Sequence, residues 1–236
     1  MLKGNAMTAH HSFTLSLMLT VATAGLTGCD SSEPVAVGST TQSGIESESA
    51  LLLESIAQMG MEPMSTAEMA GLITMREEEK LARDVYTALS ARWQNRIFAN
   101  IAKSEQAHMD ALLALLKKYQ ITDPAGTNGP GAFTDTTLQN LYGVLMEKGS
   151  VSAAEALQVG ALIEDLDIAD LKRHLSETDN TDITLVYDNL ERGSRNHMRS
   201  FSRNLSVIGV TYTPQFITQE EYTSIIATPM ETGRTR

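Results

Sequence analysis

Cysteine is almost missing from this chain: Cys29 is the only one in 236 residues. That leaves no partner for an internal disulfide and no cysteine pair for a one-electron relay. Positive charge is also scarce. Eighteen Lys and Arg stand against 29 Asp and Glu, for a net charge of −11. No basic stripe gathers the cations, and phosphate backbones need clustered Lys and Arg, so a nucleic-acid role is excluded. Neither a glycine-rich phosphate loop nor a Gly-x-Ser-x-Gly elbow occurs, and nothing suggests a nucleotide cofactor. Aromatics are few, at 5%, whereas the 12 methionines suit adaptable helix packing. The length allows one or two domains.

The N-terminus reads as an export signal over residues 1–28. Lys3 gives the positive start, with His10 and His11 near it, and Phe13 to Leu26 forms an apolar run. The run falls short of the ~20 residues of a comfortable membrane span. Leu26-Thr27-Gly28-Cys29 follows and resembles the lipobox of bacterial lipoproteins. The resemblance implies that Cys29 is lipidated and becomes the mature N-terminus. The membrane is then a partner through that lipid, and the protein faces the periplasm or the exterior. An uncleaved membrane anchor is the alternative. Asp30, next to the cysteine, favours inner-membrane retention by the sorting pattern of some Gram-negative bacteria.

Residues 29–64 are expected to be a flexible tether carrying a short helical segment near Ala50 to Met59. Their first part is rich in Ser, Thr, Gly and Glu and cannot bury a core. The domain proper spans 65–209. Ser65-Thr66-Ala67-Glu68 has capping-box spacing, and apolar residues then recur at helical intervals, which predicts a first long helix over 66–91. Further long helices are predicted over 94–119, 153–176 and 183–207, with a short connecting helix at 135–148 stopped by Gly149. Residues 210–236 are expected to be an irregular tail that packs on the bundle and then frays. The short links within each helix pair and the long link between pairs predict an all-α four-helix bundle with one long crossover.

The chemistry gathers on the helices. Glu105-Gln-Ala-His108 puts a carboxylate and an imidazole three residues apart, on the face that carries Ile101, Leu112 and Leu115. Polar groups on an apolar face need a partner, and a metal ion is one. On the first helix Glu77, Glu78 and Glu79 run together; Glu79 shares the register of Met75, Ala82 and Tyr86 and is the inward candidate, with Glu78 in reserve. Glu164 sits among Leu157, Ala161, Ile168 and Leu171, with Asp167 one turn on, while Asp165 and Asp170 are expected to face water or cap neighbours. His197 shares a register with Leu190, Phe201 and Leu205. Gly193 before it is costly inside a helix, by about 1 kcal/mol relative to Ala, and a close helix approach or a cramped site would account for it. Carboxylates and imidazoles on four helices suit iron, manganese or zinc.

These motifs together resemble a bacterial and archaeal family, domain of unknown function 2202. They are Glu79-Lys-Leu-Ala82-x-x-x-Tyr86, Ser104-Glu105-x-x-His108-Met109, Glu164-x-x-Asp167-Ile168 and Gly193-Ser194-x-Asn196-His197, with Tyr212-x-Pro214 after them. The resemblance runs from about Thr66 to Phe216. It implies a ferritin-like, rubrerythrin-like bundle with a di-metal carboxylate site, di-iron before manganese or zinc, whose ligands are Glu79, Glu105, His108, Glu164 and His197. One departure stands out. Ser194 occupies the position where rubrerythrin-type proteins carry a second Glu-x-x-His glutamate, so one bridging carboxylate is missing: either Asp167 moves in to replace it, or the site holds a single metal, or two held asymmetrically.

Three roles follow as expectations. The first is a non-haem iron oxidoreductase acting on Fe(II), dioxygen or peroxide, with Tyr86 and Tyr187 either lining the site or serving as plain core residues. The second is a non-enzymatic metal-binding or protein-interaction module of the cell envelope. The third is a scaffold whose inward acids pair with Arg83 or Arg195. The partners read from the sequence are the membrane and metal ions, with a homodimer left open.

Overall fold

A computed structural model describes residues 42–233; the export segment, Cys29, Asp30 and the start of the tether lie outside that range. Among the described residues the chain is all-α, with helices α1 (Gln42–Gln58), α2 (Thr66–Trp93), α3 (Arg96–Lys118), α4 (Thr136–Gly149), α5 (Ala153–Ser176), α6 (Thr181–Val207) and α7 (Gln219–Ala227). None of these helices is long and apolar enough to cross a membrane.

Local signals set the helix ends. Ser65 accepts from the Glu68 amide and the Glu68 carboxylate accepts from the Ser65 amide, closing the predicted capping box. Asn95, Asp135, Ser152 and Thr218 likewise take amide donors at the starts of α3, α4, α5 and α7. α2 ends at Gln94, which adopts the left-handed conformation with φ 54°.

α2, α3, α5 and α6 form the bundle. Cross-contacts show that each neighbouring pair is antiparallel. Arg83 meets Gln106 and Arg76 meets the Met109 carbonyl across α2 and α3. Tyr86 meets Glu164 across α2 and α5, and Lys118 meets Asp182 across α3 and α6. α3 and α5 are therefore parallel diagonal partners. The chain leaving α3 must travel the length of the bundle before α5 can begin, which is the physical reason for the long crossover.

That crossover is held by the outer face of α2. Arg76 forks onto Asp123 at 2.9 and 3.0 Å, Lys80 donates to the Gly129 carbonyl at 2.9 Å, and the Gly131 amide donates to Asp84 at 2.9 Å. Glu77 accepts from the amides of Thr134 and Asp135 at 2.6 and 2.8 Å. At the far end the Trp93 indole donates to the Gly149 carbonyl. As a result Glu77, Glu78, Glu79 and Lys80 are all buried. Consecutive helical residues point about 100° apart, so such a run is buried only when the helix is covered on nearly every side.

The apolar interior is in two parts. One cluster contains Tyr86, Phe98, Phe201 and Leu205; the other contains Leu72, Met75, Leu112, Leu115, Leu171 and Leu190. Along α2, α3 and α6 the switch from one cluster to the other falls at residues 76–80, 103–110 and 191–197. A polar layer thus separates two oily halves, each of whose large side chains contributes about 1.5–3 kcal/mol by burial.

Three features differ from the sequence-based expectation. α1 begins at Gln42, eight residues before the predicted Ala50. It docks through Leu52 and Ile56, and Lys118 donates to the carbonyls of Ile56 and Met59 near its C-terminus. Glu48 also pairs with Arg192, tying the polar half of α1 to α6. The tail is not irregular throughout: α7 forms and buries Tyr222 and Ile225. Asp165 does not face water. It is fully buried and accepts from the Tyr212 hydroxyl and from the amides of Gln215, Phe216 and Ile217, anchoring the tail.

Glu68 joins the start of α2 to the α5–α6 loop, accepting from Ser65, the Thr178 hydroxyl and the Asn180 amide. Burial pushes its carboxyl up, but the hydrogen bonds, from Thr178 first, outweigh it and hold the group at about 2. A depressed folded-state value means that this contribution is complete above the ordinary 4.5 and is lost as pH falls toward about 2. Glu68→Gln is expected to cost about 1–3 kcal/mol in urea unfolding near neutral pH, with the difference from wild type shrinking in acid. An equal difference at both pH values would contradict this role.

Candidate metal centre

The polar layer is built from one turn of each bundle helix. α2 supplies Glu79, α3 supplies Glu105 and His108, α5 supplies Glu164, and α6 supplies His197. All are buried: the three carboxylates are at most 1% exposed, His108 6% and His197 8%. The five predicted ligands therefore come together.

Their arrangement is centred on Glu105. One oxygen of Glu105 lies 2.8 Å from His108 Nδ1 and the other 2.9 Å from His197 Nδ1. His108 Nδ1 is also 3.1 Å from Glu79, and His197 Nδ1 is 3.4 Å from Glu164. The imidazole centroids are 5.8 Å apart. Two donor sets result, Glu79–Glu105–His108 and Glu105–Glu164–His197, each with its ligand atoms within 4.8 Å of one another. Glu105 belongs to both.

The polar atoms here lack ordinary partners. Glu79 Oε1 is buried with no partner, and Glu105 Oε1 and Glu164 Oε2 are buried with only His197 Nδ1 against them, at 2.9 and 3.4 Å and without hydrogen-bond geometry. Such groups are costly without a compensating charge. Neither arginine weighed for that task reaches them: Arg83 pairs with Asp84 and Gln106, and Arg195 pairs with Glu191 and Glu231. A divalent cation fits this donor set, and oxygen with imidazole nitrogen suits iron, manganese or zinc.

The electrostatics are those of a crowded acidic pocket. Burial raises Glu79 to about 7 against the pull of His108, with Glu105 and Glu164 adding repulsion. Burial likewise raises Glu164, despite His197 beside it. Burial also works against Glu105, but His197 and His108 flank it and hold it far below the usual carboxylate range. For His108 burial favours the neutral ring, yet Glu79 and Glu105 lift it to about 10, and His197 is raised in the same way by Glu105 and Glu164.

Surrounding residues position the ligands. The Tyr86 hydroxyl donates to Glu164 Oε1 at 2.5 Å, leaving Oε2 for the second donor set, and its ring packs on Phe98 and Phe201. Tyr86 thus lines the centre. Tyr187 packs in the apolar half against His174 and is in neither donor set. Ser194 is buried and donates to the Leu190 carbonyl, as an ordinary helix serine does. Asp167 is buried on the adjoining turn of α5 but joins neither set, so it does not take the place of the missing glutamate. Glu78, the reserve candidate, also lies outside both sets.

Gly193 proves to be a close approach. A β-carbon there would sit 2.6 Å from both Cε1 and Nε2 of His108. The glycine leaves room for the imidazole that Glu79 and Glu105 hold.

Residues 68–229 match the family model described as an uncharacterized protein domain, DUF2202. The uncharacterized protein MJ0754 of Methanocaldococcus jannaschii is 53% identical over 185 residues, covering 78% of this chain and all of that protein. The crystal structure of the hypothetical protein MJ0754 superposes with a TM-score of 0.73, covering 74% of this chain and 99% of that one.

Gly193→Ala tests the cramped contact. Helix propensity favours the change by about 1 kcal/mol, whereas crowding of the imidazole opposes it by about 1–3 kcal/mol. Overall stability is expected to move little, while metal retention in chelator competition weakens by about tenfold or more. Unchanged retention would show that His108 yields freely.

Proposed function

We propose that this chain, which belongs to the DUF2202 family, is a ferritin-like metal protein tethered outside the cytoplasm by lipidated Cys29, with a dinuclear centre at Glu79, Glu105, His108, Glu164 and His197. The observation that carries the reading is the placement of Glu105, with one oxygen against each imidazole and a further glutamate beside each. Two matched donor sets sharing one carboxylate are what a pair of cations requires. With serine at 194, Glu105 would be the one carboxylate common to both donor sets.

Iron is the metal we assign, with manganese or zinc as alternatives. A pair of iron ions would supply one-electron changes at each metal, suited to Fe(II) oxidation or to reduction of dioxygen or peroxide. The protein's share is orientation and exclusion of water. Tyr86 fixes Glu164, Gly193 admits His108, and the apolar halves seal the layer above and below. Glu79, at about 7, gives up its proton near neutral pH and becomes free to bind a cation.

A non-enzymatic metal-binding role is the second reading. It is favoured by the small exposure of the two imidazoles, 6% and 8%, which leaves little opening for a substrate.

The full chain, reconstituted with Fe(II), is expected to hold two ions in elemental analysis and to gain about 5 kcal/mol of stability, roughly 2.7 kcal/mol per ion, at a hundredfold excess over Kd. Apparent affinity should fall progressively as pH drops from about 10, because protons on His108 and then, below about 7, on Glu79 compete with the ion. Fe(II) oxidation faster in wild type than in His108→Ala supports the oxidoreductase. Equal rates with metal still bound support the binding module. No bound metal and unchanged melting would overturn both readings.

A further inference from the structure

Two buried carboxylates have no task in the centre just described. Glu78 is 6% exposed and its Oε2 has no hydrogen-bond partner, and Asp167 is 2% exposed. Neither belongs to a donor set. Burying such groups is unfavourable without a use for them.

Their place in the fold suggests one. On α5, Glu164, Asp167, Asp170 and His174 follow at steps of three or four residues and so share a face. Both ends of that row touch α2: Glu164 accepts from Tyr86, and His174 Nδ1 lies 2.7 Å from where a β-carbon of Gly71 would stand. Exposure rises over its first three members, from nothing at Glu164 through 2% at Asp167 to a 22% exposed Asp170 side chain, and falls again to 5% at His174. Glu78 lies on α2 opposite this row. Asp170 and Arg173 act on it electrostatically from the outer side, and Glu79 follows it in the chain on the inner side. Arg173 sits at the mouth, 2.6 Å from Asp170 and 3.6 Å from Glu177.

We propose that Glu78 and Asp167 form a transit site for divalent cations, through which an ion passes from Asp170 at the surface to the Glu79 and Glu164 sides of the buried centre. The inference rests on the metal-binding reading. A dication sheds its hydration shell in steps when carboxylate oxygens replace the waters in succession, and α5 with Glu78 supplies such a succession. Transit carboxylates should govern how fast the centre fills and leave unchanged how much it holds.

The test mixes the metal-free full chain with Co(II) in a stopped-flow instrument and follows visible absorption, with the final Co(II) content measured after dialysis. Glu78→Gln and Asp167→Asn are each expected to slow uptake by about tenfold or more while the final content stays at the wild-type value. Asp170→Asn should slow uptake by less, and Arg173→Gln, which removes the cation at the mouth, should speed it. These last two positions are partly exposed and keep the test valid should either buried variant fail to fold. Wild-type rates in all four variants would overturn the transit site and leave the centre intact. A lower final content in Glu78→Gln or Asp167→Asn would overturn it by making those groups ligands. A wild-type chain that binds no Co(II) would remove the centre and the transit site together.

Discussion

Excess negative charge sealed inside an apolar bundle is the constraint on which the rest depends. Glu78, Glu79, Glu105, Glu164 and Asp167 are all at most 6% exposed, and among the described residues two imidazoles answer the inner groups while Arg173 acts on Glu78 from outside. Two like charges about 4 Å apart repel by about 4 kcal/mol at an effective dielectric constant of 20. Without a cation the pocket relieves this by keeping protons. Burial and mutual repulsion raise Glu78, Glu79, Glu164 and Asp167, and only Glu105, with an imidazole on either side, stays strongly acidic. A bound dication relieves the same repulsion with the carboxylates ionised.

The architecture serves that layer. Parallel diagonal helices α3 and α5 force the crossover to run the full length of α2. Its Asp123 carboxylate satisfies Arg76, its loop carbonyls and amides satisfy Glu77, Lys80 and Asp84, and its bulk removes water from the outer side of the acidic run. The tail performs a similar service on the other side. Asp165, next in sequence to Glu164, is saturated by Tyr212 and three backbone amides, so adjacent carboxylates on α5 point to different neighbours with opposite demands. One helps to fasten the fold and the other is left wanting a partner.

Much of this was legible in the residue pattern. Apolar periodicity gave the four bundle helices to within a few residues, Ser65-x-x-Glu68 marked the start of α2, and the register of Glu79, Glu105, His108, Glu164 and His197 placed each on an inward face. The costly Gly193 pointed to crowding, which His108 supplies. What escaped depends on contacts distant in sequence. Glu77 and Lys80 look like a solvated face until the crossover covers them. Asp165 looks like a surface acid until a tail fifty residues on folds over it. α1 extends through Ser- and Glu-rich sequence and is tied down by the pair of Glu48 with Arg192. α7 did leave a local sign, the Thr218-x-x-Glu221 spacing, and Thr218 indeed accepts from the Glu221 amide.

Whether cations complete the layer is best decided by anomalous diffraction from crystals of the iron-loaded protein, recorded on either side of the iron absorption edge. The account requires two peaks flanking the Glu105 carboxylate, one shared with Glu79 and His108 and the other with Glu164 and His197. A pocket with no anomalous density, or iron bound only at the surface, would contradict it.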